Sequence, residues 1–338
     1  MSFEANPDSA TAPRQSAGFA PKRRPGSVRR TSSIDVSWPD GRSGAMRFDG
    51  RARDVLTPAS GDELVTIAED ALVASINADR TITAIESAPA RQNIAKLVGE
   101  RGGGHLREVL KEVLSDELYG ASPLYLILDD ISGASLISGW AWSQWEADWL
   151  DQFKGDRAER ISTMEGVCIG FRSGSSALRP ERFENPGAES PAPTPGLRHP
   201  EDPEGWHAFT VQDYVGMRRA RRIDVWRDNN LIKIDAAFQD SASTPAGDHR
   251  MVLHEYLLSA TADPHSLTLL SIAAQPRVLP FAECTAAPAN IDRLLNTPLG
   301  ELREQVLTEL PGAAGCTHLN DALRALAEVP ALITHLPN

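Results

Sequence analysis

From Gly312 to Leu326 the chain reads G-A-A-G-C-T-H-L-N-D-A-L-R-A-L, which sets Cys316 and His318 two residues apart where an amphipathic run begins. A thiol and an imidazole so placed can hold a metal, or can act as a nucleophile and its base. Upstream, Cys284 in F-A-E-C-T and His254 in M-V-L-H-E-Y supply a second thiol and a second imidazole. Two thiols and two imidazoles form a borderline-soft donor set, suited to zinc or an iron–sulfur cluster. The first expectation is therefore a metal site made of His254, Cys284, Cys316 and His318. With four protein ligands it would be closed and structural, whereas an open position would permit Lewis-acid catalysis. The rival is a metal-free enzyme in which Cys316 is the nucleophile for thioester or acyl chemistry and His254 or His318 is its base. Whether the chain is an enzyme stays open at this level, and so does its substrate.

These residues need elements to position them. Leu319, Ala322, Leu323 and Leu326 recur three and four apart, so a helix follows Cys316 with Thr317 as its N-cap and His318 in its first turn. A helix N-terminus there should lower the pKa of Cys316. Cys284 follows a strand ending near Pro280 and opens a helical stretch, and His254 sits on a strand. Cys168, in the apolar run Gly166 to Phe171, reads as an inert residue of a short buried strand.

The larger order is repetitive. Arg29 opens R-R-T-S-S-I-D-V and Arg218 opens R-R-A-R-R-I-D-V; each is followed by a turn and a second extended run ending in Asp54 or Asp240. Two further strands follow in each, then helices beginning near Gly104 and Gly300. The pattern predicts an α+β chain of two homologous domains, each an antiparallel sheet followed by helices. The expected division is a disordered arm over 1–27, a degenerate first copy over 28–140, a Trp-rich connector and Pro/Gly linker over 141–214, and a second copy over 215–338. Aligned this way, His254 stands opposite Ala68, and none of the four candidate ligands has a counterpart in the first copy. Their joint absence suggests that they act together. Asp129-Asp130 and the Asp ends of the hairpins read as turn and cap chemistry, and Trp206-His207 as packed aromatics.

Composition bounds the partners. The 338 residues carry a formal charge of −12, which argues against a general nucleic-acid binder. No apolar stretch approaches the roughly 20 residues of a membrane span. Three cysteines make no disulfide framework, and with no apolar leader the expected setting is cytoplasmic. A protein partner held by the Trp-rich segment is a third possibility for function.

Four separated stretches resemble a bacterial domain of unknown function, number 2889: the run from Arg218 to Val225, the His254-Glu255-Tyr256 strand, Leu279 to Cys284, and Gly315 to Asp321. That family implies no activity. The second copy is also similar, more distantly, to the NifU N-terminal/SufE-like iron–sulfur scaffold fold. This likeness implies that Cys284 and Cys316 are ligands, with Asp248 or His254 standing in for the scaffold's first cysteine.

Overall fold

The computed structural model describes residues 14–61, 63–149, 162–179 and 191–337. Strands β1 (Ser27–Ser37), β2 (Met46–Thr57), β3 (Val65–Ile76) and β4 (Ile82–Ala88) form one antiparallel meander. Strands β6 (Gly216–Asp228), β7 (Leu231–Ser243), β8 (Arg250–Ala262) and β9 (Leu269–Val278) form another. The two do not close as separate sheets. β1 pairs antiparallel with β6 from Ser27↔Trp226 to Ser37↔Gly216, giving one sheet in the order β4-β3-β2-β1-β6-β7-β8. The short β5 (Ala192–Thr194) and β9 share the outer edge of β8.

The sequence explains why these edges join. Arg29 lies opposite Asp224 and Asp35 opposite Arg218 in the register, and both pairs are bonded, at 2.5 and 2.6 Å. Buried guanidinium–carboxylate pairs would leave costly bare charges if the strands parted. The register repeats further out. Arg30 faces Asp54 and Arg219 faces Asp240; Asp54 then faces Ala68 and Asp240 faces His254, with a bulge next to each acid.

One face of the sheet carries the helices. Under β1–β4 lie α1 (Gly104–Val113), α2 (Ser115–Tyr119) and α3 (Pro123–Ile137), the last buried on nearly all sides. Under β6–β9 lie a 3-10 helix (Ala282–Leu294), α4 (Leu302–Glu309), α5 (Thr317–Arg324) and α6 (Val329–Ile333). Each half has its own apolar cluster between sheet and helices. Trp140 and Trp142 belong to the first, and the Trp145 indole crosses to the Ser243 carbonyl at 3.0 Å.

The opposite face is covered by segments expected to lack structure. Of the arm predicted to be disordered over 1–27, residues 1–13 lie outside the described residues, but the rest is laid down on the sheet. Ala17 N–H and Ser16 Oγ bind the Glu255 carboxylate, Ala20 N–H binds the Leu197 carbonyl, and Arg23 chelates Asp202. The far end of the predicted linker continues this cover: Leu197, Trp206 and Ala20 pack on Ala220. The reason is that β1 and β6 are buried on both faces, so their polar residues need partners from above as well as below. His207 supplies two, with Nδ1 at 2.9 Å from Thr31 Oγ1 and Nε2 at 2.8 Å from Ser33 Oγ. The run around Cys168, expected as a strand, is a turn followed by a 3-10 helix (Ile169–Phe171).

Candidate metal centre

Side chains alternate across a strand, so on β7 and β8 the residues Phe238, Asp240, His254 and Tyr256 all face the helices. The register sets Asp240 beside His254 and Phe238 beside Tyr256. Helix α5 starts directly above. Its N-cap is Cys316 rather than Thr317, and no side chain caps it. Gly315 is needed just before it, because a Cβ there would lie 2.6 Å from the Leu310 carbonyl oxygen. Asn320 Nδ2 donates to that same oxygen at 2.9 Å and holds the turn.

This start drops His318 onto His254. The two imidazoles stack with ring centres 3.5 Å apart and planes 17° from parallel. Both present a nitrogen to one oxygen of Asp240: His254 Nδ1 lies 3.3 Å and His318 Nε2 3.8 Å from Oδ2. The ligand atoms of Asp240, His254 and His318 all fall within 4.8 Å of one another. Among the described residues this is the only group of three or more His, Cys, Asp or Glu so placed. His254 Nδ1 is buried and makes no aligned hydrogen bond.

The charge states suit a cation. Burial pushes the Asp240 carboxyl upward, but the Arg219 charge and the two imidazoles outweigh it and hold the group well below the usual carboxylate range. Burial, and then the neighbouring His254, push His318 well below its ordinary value, so its ring is neutral at pH 7. A carboxylate and a neutral imidazole, as at Asp240 and His318, are forms that bind metals. Arg219 orients the carboxylate, with Nε at 2.9 Å and Nη2 at 3.1 Å from its two oxygens. A carboxylate has about four lone-pair sites, so Oδ2 keeps one for a further partner.

Arg219 also leads into a buried ionic network. It reaches Asp130 and Asp321, and Arg221 also binds Asp130. Arg107 and Arg324 bridge Asp129 and Asp321, Arg303 joins Asp129 to Glu328, and Arg30 joins Glu328 to Asp54. Its guanidinium and carboxylate groups are equal in number, so no net charge is buried. Asp129 and Asp130 are thus not turn or cap residues; they sit within α3 and anchor arginines that have no water to turn to. In the first half, with Ala68 at the place of His254, the Arg30–Asp54 pair borders a cleft of about 430 Å³.

The four expected ligands therefore divide. His254 and His318 meet, joined by Asp240, which sequence reasoning had assigned to a hairpin end. The available signal was the repeat, in which Asp240 ends its extended run as Asp54 does; its pairing with His254 is a matter of strand register. Cys284 and Cys316 are not in this group. The Cys316 sulfur accepts from the Tyr256 hydroxyl at 3.4 Å, and Cys284 lies across Gly170 from Cys168. Nor does the helix N-terminus prevail at Cys316, although the N–H groups of its first turn act to lower the thiol. Burial dominates and pushes its thiol up to about 11, and it drives Cys284 well above its ordinary value. Cys316 is 2% exposed, and its hydrogen-bond partner is a phenol, not an imidazole.

Residues 217–332 match the family model described as protein of unknown function (DUF2889). The matched stretch holds Asp240, His254, Cys284, Cys316 and His318, and leaves out Cys168 and the whole first meander. No curated protein and no solved structure matches the chain. No helix among the described residues is long and apolar enough to cross a membrane.

Proposed function

We propose that this is a metal-binding protein whose centre is Asp240, His254 and His318. The observation that carries the reading is the convergence of two imidazoles and one carboxylate within 4.8 Å, with the buried His254 Nδ1 making no aligned hydrogen bond. A nitrogen and oxygen set favours zinc, ferrous iron or manganese; an iron–sulfur cluster would need thiolates. Three protein ligands leave coordination positions for water or substrate, as in catalytic rather than closed structural sites. Within such a site Asp240 and the two histidines hold the ion, Arg219 fixes the carboxylate, and His318, 14% exposed at its side chain, marks the approach from solvent. A bound divalent ion would supply Lewis-acid activation of a ligated water or carbonyl.

The matching ion pairs and bulges of the two meanders support descent from one duplicated unit. In that reading the first copy kept the Arg–Asp pair and has Ala68 where the second has an imidazole.

The test is elemental analysis of protein purified without chelator and after reconstitution with each metal. Stoichiometric metal is expected in the wild type and in Cys284→Ser/Cys316→Ser, and should be lost in His254→Ala and in His318→Ala. Metal retained in both histidine variants, or absent from the reconstituted wild type, overturns the proposal.

A further inference from the structure

The first meander leaves a strand edge bare. β4 ends at Ala88, opposite Ala71 of β3, and the next residue, Pro89, has no N–H to extend the ladder. From Val65 to Asp70, β3 pairs with β2 alone among the described residues, so its outer edge is uncovered over about 20 Å. Edge strands are usually blunted by Lys, by Pro or by a covering segment. This run, V-T-I-A-E-D, has neither Lys nor Pro, and Val65 is 50% exposed.

The second half shows what such an edge takes. Asp54 faces Ala68 as Asp240 faces His254, so Thr66 stands where Val252 does. There β5 pairs along the same edge, Ala192 with Val252 and Thr194 with Arg250, and β9 reaches Glu255, the counterpart of Glu69. β5 lies in the run P-A-P-T-P. Its prolines leave N–H groups only on the residues between them, so the segment can add to one edge and offers no ladder donors to a further strand.

The cleft of about 430 Å³ lies against the bare edge, with Ile67 to Asp70 in its wall. Ala121, Pro123 and Ala331 give it small apolar surfaces. Its buried charges are already paired, Arg30 with Asp54 and Asp70 with Arg91. A lining with no spare buried charge suits an uncharged, apolar side chain.

We propose that the Val65–Asp70 edge docks an extended peptide segment of a partner protein with the chemistry of β5. The segment is uncharged, pairs antiparallel through the N–H groups of alternate residues, and sends one apolar side chain into the cleft. This surface is separate from the histidine centre and does not depend on a metal.

The probe is a fluorescein-labelled peptide of residues 191–197 carrying Ala192→Leu, which sets an apolar side chain at the position that would face Thr66. The full chain is titrated by fluorescence anisotropy, and hydrogen exchange is followed by mass spectrometry. Saturable binding is expected, with slowed exchange over residues 65–70. Methylating the peptide nitrogens of residues 192 and 194 removes the ladder donors and should weaken binding by at least about 10-fold. Absence of saturation up to about 1 mM peptide overturns the proposal. So does equal affinity of the methylated peptide, or protection confined to β8. Protection of 65–70 without peptide, in a chain that sediments as a dimer, would assign the edge to a second copy and overturn it as well.

Discussion

Acid should loosen this fold through His207, and by an amount that the structure sets. The ring is 2% exposed and wedged between the Thr31 and Ser33 hydroxyls, where burial, and then the charges of Arg53, Arg218, Arg51 and Arg198, lower its pKa from 6.5 to about 3. The folded state therefore takes up this proton far later than the unfolded chain does. As pH falls through 6.5 the unfolded state gains a proton that the folded state refuses, and stability is lost continuously down to about 3. At about 1.36 kcal/mol per unit, and half that slope at pH 6.5 where the unfolded ring is half protonated, the loss from His207 between about pH 6.5 and about pH 4.5 is about 2.3 kcal/mol. His318 slopes the same way, whereas Glu255, raised by burial, slopes oppositely. Comparing the wild type with His207→Gln cancels both. The assay is urea denaturation followed by tryptophan fluorescence across that pH range. His207→Gln should start less stable at neutral pH, because it loses one of two buried hydrogen bonds, and should then fall less steeply by about 2–3 kcal/mol over the window. Equal pH slopes in the two proteins would refute the account of a neutral, clamped His207.

Three other outcomes follow from the same geometry. Asp240→Asn leaves the Arg219 guanidinium short of its bidentate partner inside the sheet–helix layer, so it should destabilise by about 3–5 kcal/mol in urea unfolding, and an unchanged midpoint would contradict the network. Gly133→Ala, normally favourable by up to about 1 kcal/mol in an open helix, should instead destabilise by about 1–3 kcal/mol, because its Cβ would sit 1.7 Å from Arg219 Nη1. Cys316, pushed up from 9.0 to about 11, holds about 100-fold less thiolate than an ordinary thiol; iodoacetamide should label it only after unfolding, and fast labelling of the native chain would revive the nucleophile.

Much of the frame was legible from residue order. The alternation in R-R-x-x-x-I-D-V, the turn signals and the three-and-four spacing around Leu319 and Leu323 act over a few residues, so strands, helices and the Asp54/Asp240 correspondence could be read directly. That His254 has no imidazole counterpart was equally plain from the alignment with Ala68.

What residue order could not settle was which groups meet in space. The union of two meanders into one sheet depends on β1 and β6 satisfying each other's buried charges, a pairing between strands almost two hundred residues apart. The order of the stretch 14–27 depends on a sheet face that needs covering, not on its own Ser- and Pro-rich composition. Most of all, the division of the four candidate ligands was decided by packing. Cys316 and His318 are two residues apart, but at the first turn of a helix their side chains leave in different directions. One falls toward Tyr256, the other toward His254 and Asp240. Sequence determined the chemistry available to this protein, and the angle at which α5 meets β7 and β8 determined which atoms share a site.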